Sequence, residues 1–339
     1  MHEAVLYEKL AGNRVRCRLC AQLCEVRSGQ RGVCGVRENR GGTLVSLVYG
    51  RAVAVHVDPV EKKPLFHFHP GSRTFSIATV GCNFRCQHCQ NWEISQYGHL
   101  HRDGDVPGEL LPPAAVVAAA QGAGCGSISY TYTEPTVFME YAADTAREAR
   151  RRGLANVFVT NGYMTAEAVD LIAPLLDAAN VDVKGLRDDV MRREIKARSG
   201  PVLDCLRRLH ARGVWVEATT LVIPGINDSD AELGGIARFL AELDRNLPWH
   251  VSAFHPDYQL LDRPPTSRAT LDRATAIGER AGLRYVYAGN VWDAAGESTR
   301  CPECRAVCLE RHGFSLGRVD MAGGACGACG AVIAGVGMP

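Results

Sequence analysis

The sequence predicts an α/β fold built on a parallel sheet or barrel, flanked by a small module on each side. Three observations predict it. Short β-type runs alternate with helix-periodic runs between residues 73 and 297, polar or unusual residues follow almost every β-type run, and cysteines gather at the start of that stretch and on either side of it.

In chain order, residues 1–72 read as a cysteine-rich N-terminal module with an extended, hairpin-like stretch at 44–57. Strands are expected at 74–80, 127–132, 156–160, 181–184, 214–222, 250–254 and 284–288, runs that are mostly short, apolar and rich in β-branched or aromatic residues. Between them, Leu203, Leu206 and Leu209 share one face of a helix expected over 201–212, and Leu171, Ile172, Leu175 and Leu176 repeat with helical spacing. Pro174 should kink or divide that second helix. Gly153 and Gly213 stand just before strands, where helix C-terminal glycines belong. Residues 298–339 form a Gly- and Cys-rich tail.

Lys plus Arg total 38 and Asp plus Glu 37, a formal charge of +1, so the electrostatic case for a nucleic-acid partner is absent. No apolar run approaches the roughly 18 residues of a membrane span. Glu3, Glu8 and Lys9 stand where a signal peptide would be apolar. A soluble, cytoplasmic protein is expected. The short basic run Arg147, Arg150, Arg151 and Arg152 reads as a solvated helix end.

Fourteen cysteines in a reducing compartment point to metal or cluster ligation. Cys125 and Cys205 stand apart and read as small apolar residues. Cys82, Cys86 and Cys89 follow a strand at x3 and x2 spacing. Three thiols leave a structural zinc site one ligand short, unless His88 or His99 completes it, whereas an iron–sulfur cluster on three cysteines keeps one iron open. Cys17, Cys20, Cys24 and Cys34 suit either zinc or an auxiliary iron–sulfur cluster. The tail pairs Cys301-x2-Cys304 and Cys326-x2-Cys329 read as a zinc-ribbon-like site, with Cys308 and His312 outside it. So small a tail would draw most of its stability from the metal.

The spacing of Cys82, Cys86 and Cys89, with His88 before the last cysteine, resembles the hallmark of the radical S-adenosylmethionine (SAM) superfamily. The resemblance implies a partial (β/α)6-type TIM barrel and a [4Fe–4S] cluster on those three cysteines. It also implies SAM on the open iron, an electron donor such as flavodoxin or ferredoxin, and a 5′-deoxyadenosyl radical that abstracts hydrogen from a substrate. Tyr132-Thr133-Glu134-Pro135 occupies the place of the family's Gly-Gly-Glu-Pro motif, with both glycines replaced. Thr160-Asn161-Gly162 and Val181-Asp182-Val183-Lys184 look like the third- and fourth-strand motifs of pyruvate formate-lyase activating enzymes. Tyr132, Thr133, Glu134, Asn161, Asp182 and Lys184 are therefore the candidate SAM contacts, and Asn290, after Gly289, joins them on the adenine side. Glu217 and His255 are the catalytic candidates, and Thr219 and Ser252 lie at later strand ends.

The N-terminal half narrows the resemblance. Cys17-Arg18-Leu19-Cys20, Gly32-Val33-Cys34-Gly35, Leu47-Val48-Tyr49-Gly50-Arg51 and the run from Asp58 to Phe68, together with Ile223-Pro224-Gly225-Ile226-Asn227-Asp228 and Phe254-His255-Pro256-Asp257-Tyr258, look like the radical SAM member of the AmmeMemoRadiSam system. That implies Memo-type and AMMECR-type partner proteins. A glycyl-radical activase is the alternative within the same chemistry. A non-catalytic zinc-rich adaptor or RNA-binding protein is the alternative outside it.

Overall fold

The computed structural model describes all residues except 1, 102–103 and 292–295. In the N-terminal region, β1 (Tyr7–Leu10), β2 (Arg14–Cys17) and β3 (Glu25–Val26) form an antiparallel sheet. A second antiparallel pair, β4 (Arg37–Arg40) and β5 (Thr43–Ser46), follows. β6 (Ala54–Pro59) does not fold back on β5. The hairpin expected at 44–57 is absent because β5 pairs with β4 and with residues 2–3, while β6 runs antiparallel to β7 (Arg73–Ala78) at the edge of the main sheet.

That sheet has eight strands among the described residues, in the sequential order β6 to β13. Beyond β7 come β8 (Ser127–Tyr130), β9 (Ala155–Thr160), β10 (Ala178–Asp182), β11 (Trp215–Val222), β12 (Trp249–Ala253) and β13 (Val286–Gly289), all parallel to their neighbours. The parallel strands are those expected, with shifted ends. β10 begins three residues early because Ala178 and Ala179 are buried and add two more small apolar residues to the ladder. β13 and β6 are not paired with each other, so the sheet is open rather than a closed barrel.

The crossovers are helical, as parallel pairing requires. α1 (Pro113–Gly122) starts with Pro at its first turn, and α2 (Met139–Arg151) buries Tyr141, Ala142, Ala146 and Ala149. α3 (Ala166–Ile172) is capped by Thr165 and gives way at Pro174 to a 3-10 turn over Ala173–Leu175. α4 (Ser199–Ala211) turns Val202, Cys205, Leu206 and Leu209 inward, whereas Leu203 is only half-buried. α5 (Asp230–Leu243) and α6 (Arg268–Arg280) carry Ser caps. Gly153 and Gly213, two residues past α2 and α4, have φ of +72° and +77°, the left-handed turn that ends a helix. No helix among the described residues is long and apolar enough to cross a membrane.

The tail adds β14 (Thr299–Arg300), β15 (Val307–His312) and β16 (Ser315–Val319). It is anchored by Arg311, which is fully buried. The Arg311 guanidinium donates to the Phe66 carbonyl (2.6 Å) and to Thr299 Oγ1 (2.7 Å), and lies 4.3 Å from the centre of the Phe66 ring. Backbone bonds between His67, His69 and Val336 close the same junction.

Candidate functional site

The carboxyl ends of the parallel strands open on one cavity of about 570 Å3, within the range of small-molecule and cofactor sites. Cys82, Cys86 and Cys89 line it from the loop after β7, Tyr132, Thr133 and Glu134 from the end of β8, Asn161 from β9, Asp182 and Lys184 from β10, and Asn290 from β13. Parallel strands in register bring these sequence-distant residues to one face, because the loops that follow leave on the same side.

Burial pushes the Cys82 thiol well up and that of Cys86 to about 12. The thiols become ligands by losing their protons, and the thiolates then bind the cation. Cys89 Sγ lies 2.9 Å from Ser95 Oγ, and Asn161 Nδ2 lies 3.8 Å from Cys82 Sγ. Thiols on one loop, amide and hydroxyl donors at the sulfurs and an adjoining cavity fit a cluster with an exposed corner. His88, buried on the same loop, is held near pKa 3 by desolvation and then by Lys184.

Glu134 lines the cavity, but its carboxylate is already committed. Oε1 accepts from the Thr136 backbone (3.0 Å) and from Thr160 Oγ1 (2.8 Å), and Oε2 from the Asn161 backbone (2.8 Å). Glu134 thus ties the β8 loop to the end of β9. Tyr132 has φ of +63°, the left-handed conformation that glycine adopts without cost. The residue standing in a glycine's place keeps a glycine's backbone. It is held by Asn91 Nδ2, which donates to its carbonyl (2.9 Å), by its hydroxyl bond to Asp58, and by Lys63 Nζ, 4.5 Å from its ring centre.

Asp182 and Lys184 pair at 2.7 Å. Burial opposes the charge on Lys184, but Asp182 and Cys86 outweigh it and raise its pKa. Asn290, with φ of +61°, spends its side-chain amide on the Ala253 carbonyl (2.7 Å).

The catalytic candidates do not reach the cavity wall. Glu217 is completely buried beneath it and accepts from the Phe66 and His67 backbone, Trp215 Nε1 and His250 Nε2, at 2.7–3.1 Å. His255 is exposed to solvent. For Glu217 the reason lies in depth along the strand, not in the face it points to. Glu217 falls early in β11, well before its carboxyl end, whereas Thr219, two residues on, does line the cavity.

The sequence reading takes Asp58, Lys62 and Lys63 only as part of a family-like run and gives them no role at the site. Lys62 and Lys63 line the cavity, and both pair with Asp58, at 2.9 and 2.7 Å. Burial lowers Lys63 to about 8 against the pull of Asp58. The available signal was a charged run directly after a strand.

In the tail, Cys301 and Cys329 sulfurs are 3.6 Å apart and Cys304 and Cys326 sulfurs 3.7 Å apart. Four sulfurs at about 2.3 Å from one tetrahedral ion would be roughly 3.8 Å apart, so the quartet fits a single ion. Cys308 and His312 stand outside it.

The family described as the Radical SAM superfamily matches residues 76–235. An isethionate sulfite-lyase activating enzyme of Nitratidesulfovibrio vulgaris is 32% identical over 214 residues, 60% of this chain and 67% of that protein. The chain belongs to the radical SAM superfamily. An uncharacterized protein of Methanocaldococcus jannaschii is 44% identical over 322 residues, 95% of each chain, so the likeness extends through both flanking modules. Among solved structures, a radical SAM methyltransferase from Sphaerobacter thermophilus shares the fold, with a TM-score of 0.50 at 20% identity over 66% of this chain and 68% of that one. In this radical SAM chain, the cysteine quartet of the tail is a group that could hold a metal ion.

Proposed function

We propose that this chain is a SAM-cleaving enzyme whose catalytic cluster is held by Cys82, Cys86 and Cys89, acting on an unidentified substrate within an AmmeMemoRadiSam system. The observation that carries the reading is the opening of the three thiols onto one cavity with the β8, β9 and β10 loop residues. When bound, a [4Fe–4S] cluster and SAM supply an electron, a cleaved carbon–sulfur bond and a hydrogen-abstracting radical. The protein's part is orientation and exclusion of water. Glu134 fixes the β8 loop, whose backbone near Thr133 would hold the SAM amino group. Lys184, held charged by Asp182, places positive charge beside thiolates and a carboxylate. Asn161 donates toward Cys82. The open sheet acts as a partial (β/α)6-type TIM barrel, and an external reductant of the flavodoxin or ferredoxin class supplies electrons.

The N-terminal module favours work alongside Memo-type and AMMECR-type proteins. The relatives named as activating enzymes favour a second reading, a glycyl-radical activase. Deuterium transfer separates them. In the first case label moves into 5′-deoxyadenosine from a small molecule or side chain, and no persistent protein radical accumulates. In the second it moves from a backbone glycine of a partner and leaves a stable glycyl radical. Failure to cleave SAM with an intact cluster would remove both readings and restore the zinc-rich adaptor.

Zinc is the ion proposed for Cys301, Cys304, Cys326 and Cys329. The full chain is expected to carry one zinc there, and the Cys304→Ala/Cys329→Ala variant to lose it and unfold its tail at lower temperature. Retention of a full equivalent of zinc in that variant would contradict the assignment.

A further inference from the structure

The four N-terminal cysteines surround a second, smaller cavity. Cys17, Cys20, Cys24 and Cys34 line a buried space of about 20 Å3, together with Arg37 and Asn83, where one water needs roughly 10–15 Å3. Four thiolates on one tetrahedral ion are in van der Waals contact with each other, about 3.8 Å apart, and leave no such space between them. Among the described residues, the tail quartet alone brings its ligand atoms within 4.8 Å of one another. The same chain therefore holds two four-cysteine sites of different geometry, one closed onto a point and one drawn around a volume.

Two polar groups at that volume await an acceptor. Arg37 and Asn83 are 2% and 0% exposed, and Arg37 Nε and Asn83 Nδ2 have no hydrogen-bond partner among the described residues. The rest of each side chain is engaged. The Arg37 terminal nitrogens bind Glu140 and the Val5 carbonyl, and Asn83 Oδ1 accepts from Asn161 Nδ2 at 2.7 Å. A buried donor without an acceptor is costly, so two at one cavity call for an anionic occupant. The Val33 backbone N–H already donates to Cys24 Sγ at 3.4 Å. Hydrogen bonds to sulfur are what tune iron–sulfur clusters.

The site also abuts the catalytic loop. Asn83 follows Cys82 directly, and Gly81 sits so close to the N-terminal module that a Cβ there would meet Val36 at 2.7 Å and the Cys34 carbonyl at 3.1 Å, at a φ of +103°. Only glycine allows that approach.

We propose that Cys17, Cys20, Cys24 and Cys34 hold a second iron–sulfur cluster, with Arg37 Nε and Asn83 Nδ2 donating to its sulfurs, beside the catalytic cluster and able to exchange one electron with it. Its position beside a catalytic cluster rests on the function proposed above; its presence does not. The test uses the full chain, reconstituted without oxygen, in which Cys82, Cys86 and Cys89 are replaced by Ala. Iron and acid-labile sulfide should persist in equal amounts, fall to background when Cys17→Ala and Cys34→Ala are added, and give a reduced electron paramagnetic resonance signal that no longer responds to SAM. In the wild type that signal should be broadened by the neighbouring cluster. Zinc in place of iron, or iron that survives the added substitutions, would overturn the proposal. Should the triple variant fail to fold, the wild type decides: two reduced-cluster spins per chain support it and one refutes it. Loss of the SAM response in the wild type, with iron still present at two clusters, would instead fault the catalytic reading.

Discussion

The Cys82→Ala/Cys86→Ala/Cys89→Ala chain is expected to form 5′-deoxyadenosine at background, at least about a thousandfold below wild type, because among the described residues these are the only cysteines that line the cavity. The SAM-induced change in the reduced cluster's electron paramagnetic resonance spectrum should disappear with it. Folding is controlled independently. Zinc in the tail and the circular dichroism of the helices should be unchanged, since the three thiols lie on a loop and the sheet order does not pass through them. Measurable SAM cleavage in that variant would remove the catalytic assignment from these cysteines. The single variant Cys86→Ala serves as a finer probe. Cys86 is the buried member of the three, so its loss removes the ligand least replaceable by water.

Much of this arrangement was legible before any coordinate. A parallel sheet needs buried strands and helical returns, and both leave periodic patterns, so the strands from β7 to β13 and the helix stops at Gly153 and Gly213 could be read directly. What resisted was pairing. The residues at 44–57 have strand composition, but nothing local reveals that β5 stays with β4 while β6 crosses to the edge of the main sheet. Partner choice is set by which buried face each strand must cover, a tertiary quantity.

The site divides in the same way. The tail quartet and the triad are spacing signals, and spacing survives in a sequence. Metal identity at the N-terminal quartet is a matter of distance between thiols, which spacing does not encode. The Lys62 and Lys63 contribution is not evident from the run itself, because a charged run normally marks a solvated surface, whereas here both residues line the cavity and pair with Asp58. Tyr132 shows a different limit. Its side chain differs from the family's glycine, yet its backbone takes the glycine conformation, held by a hydrogen bond from Asn91 to its carbonyl and one from its hydroxyl to Asp58.

Glu217→Ala is expected to destabilise the protein by about 3–5 kcal/mol at neutral pH, the cost of removing one partner from a buried charged network. Four donors, the Phe66 and His67 backbone N–H groups, Trp215 Nε1 and His250 Nε2, would lose their acceptor at once. The loss should spread to the tail, since Arg311 rests on the Phe66 carbonyl and ring, and His67 meets Ala334 and Tyr287. Burial alone would raise the Glu217 carboxyl, but His250 and His67 outweigh it and hold it below the usual carboxylate range. A depressed acid stabilises the fold above its unfolded pKa and loses that stabilisation as pH falls through the folded value. The stability gap between wild type and Glu217→Gln should therefore be full at pH 7 and close on acidification below the carboxylate range. Denaturant unfolding at several pH values, paired with SAM cleavage measured well below the melting temperature, tests both halves of the claim. A residue that positions the Phe66–His67 segment predicts a lowered melting temperature with kcat for SAM cleavage largely kept. A kcat lost at unchanged stability would return Glu217 to the reaction itself.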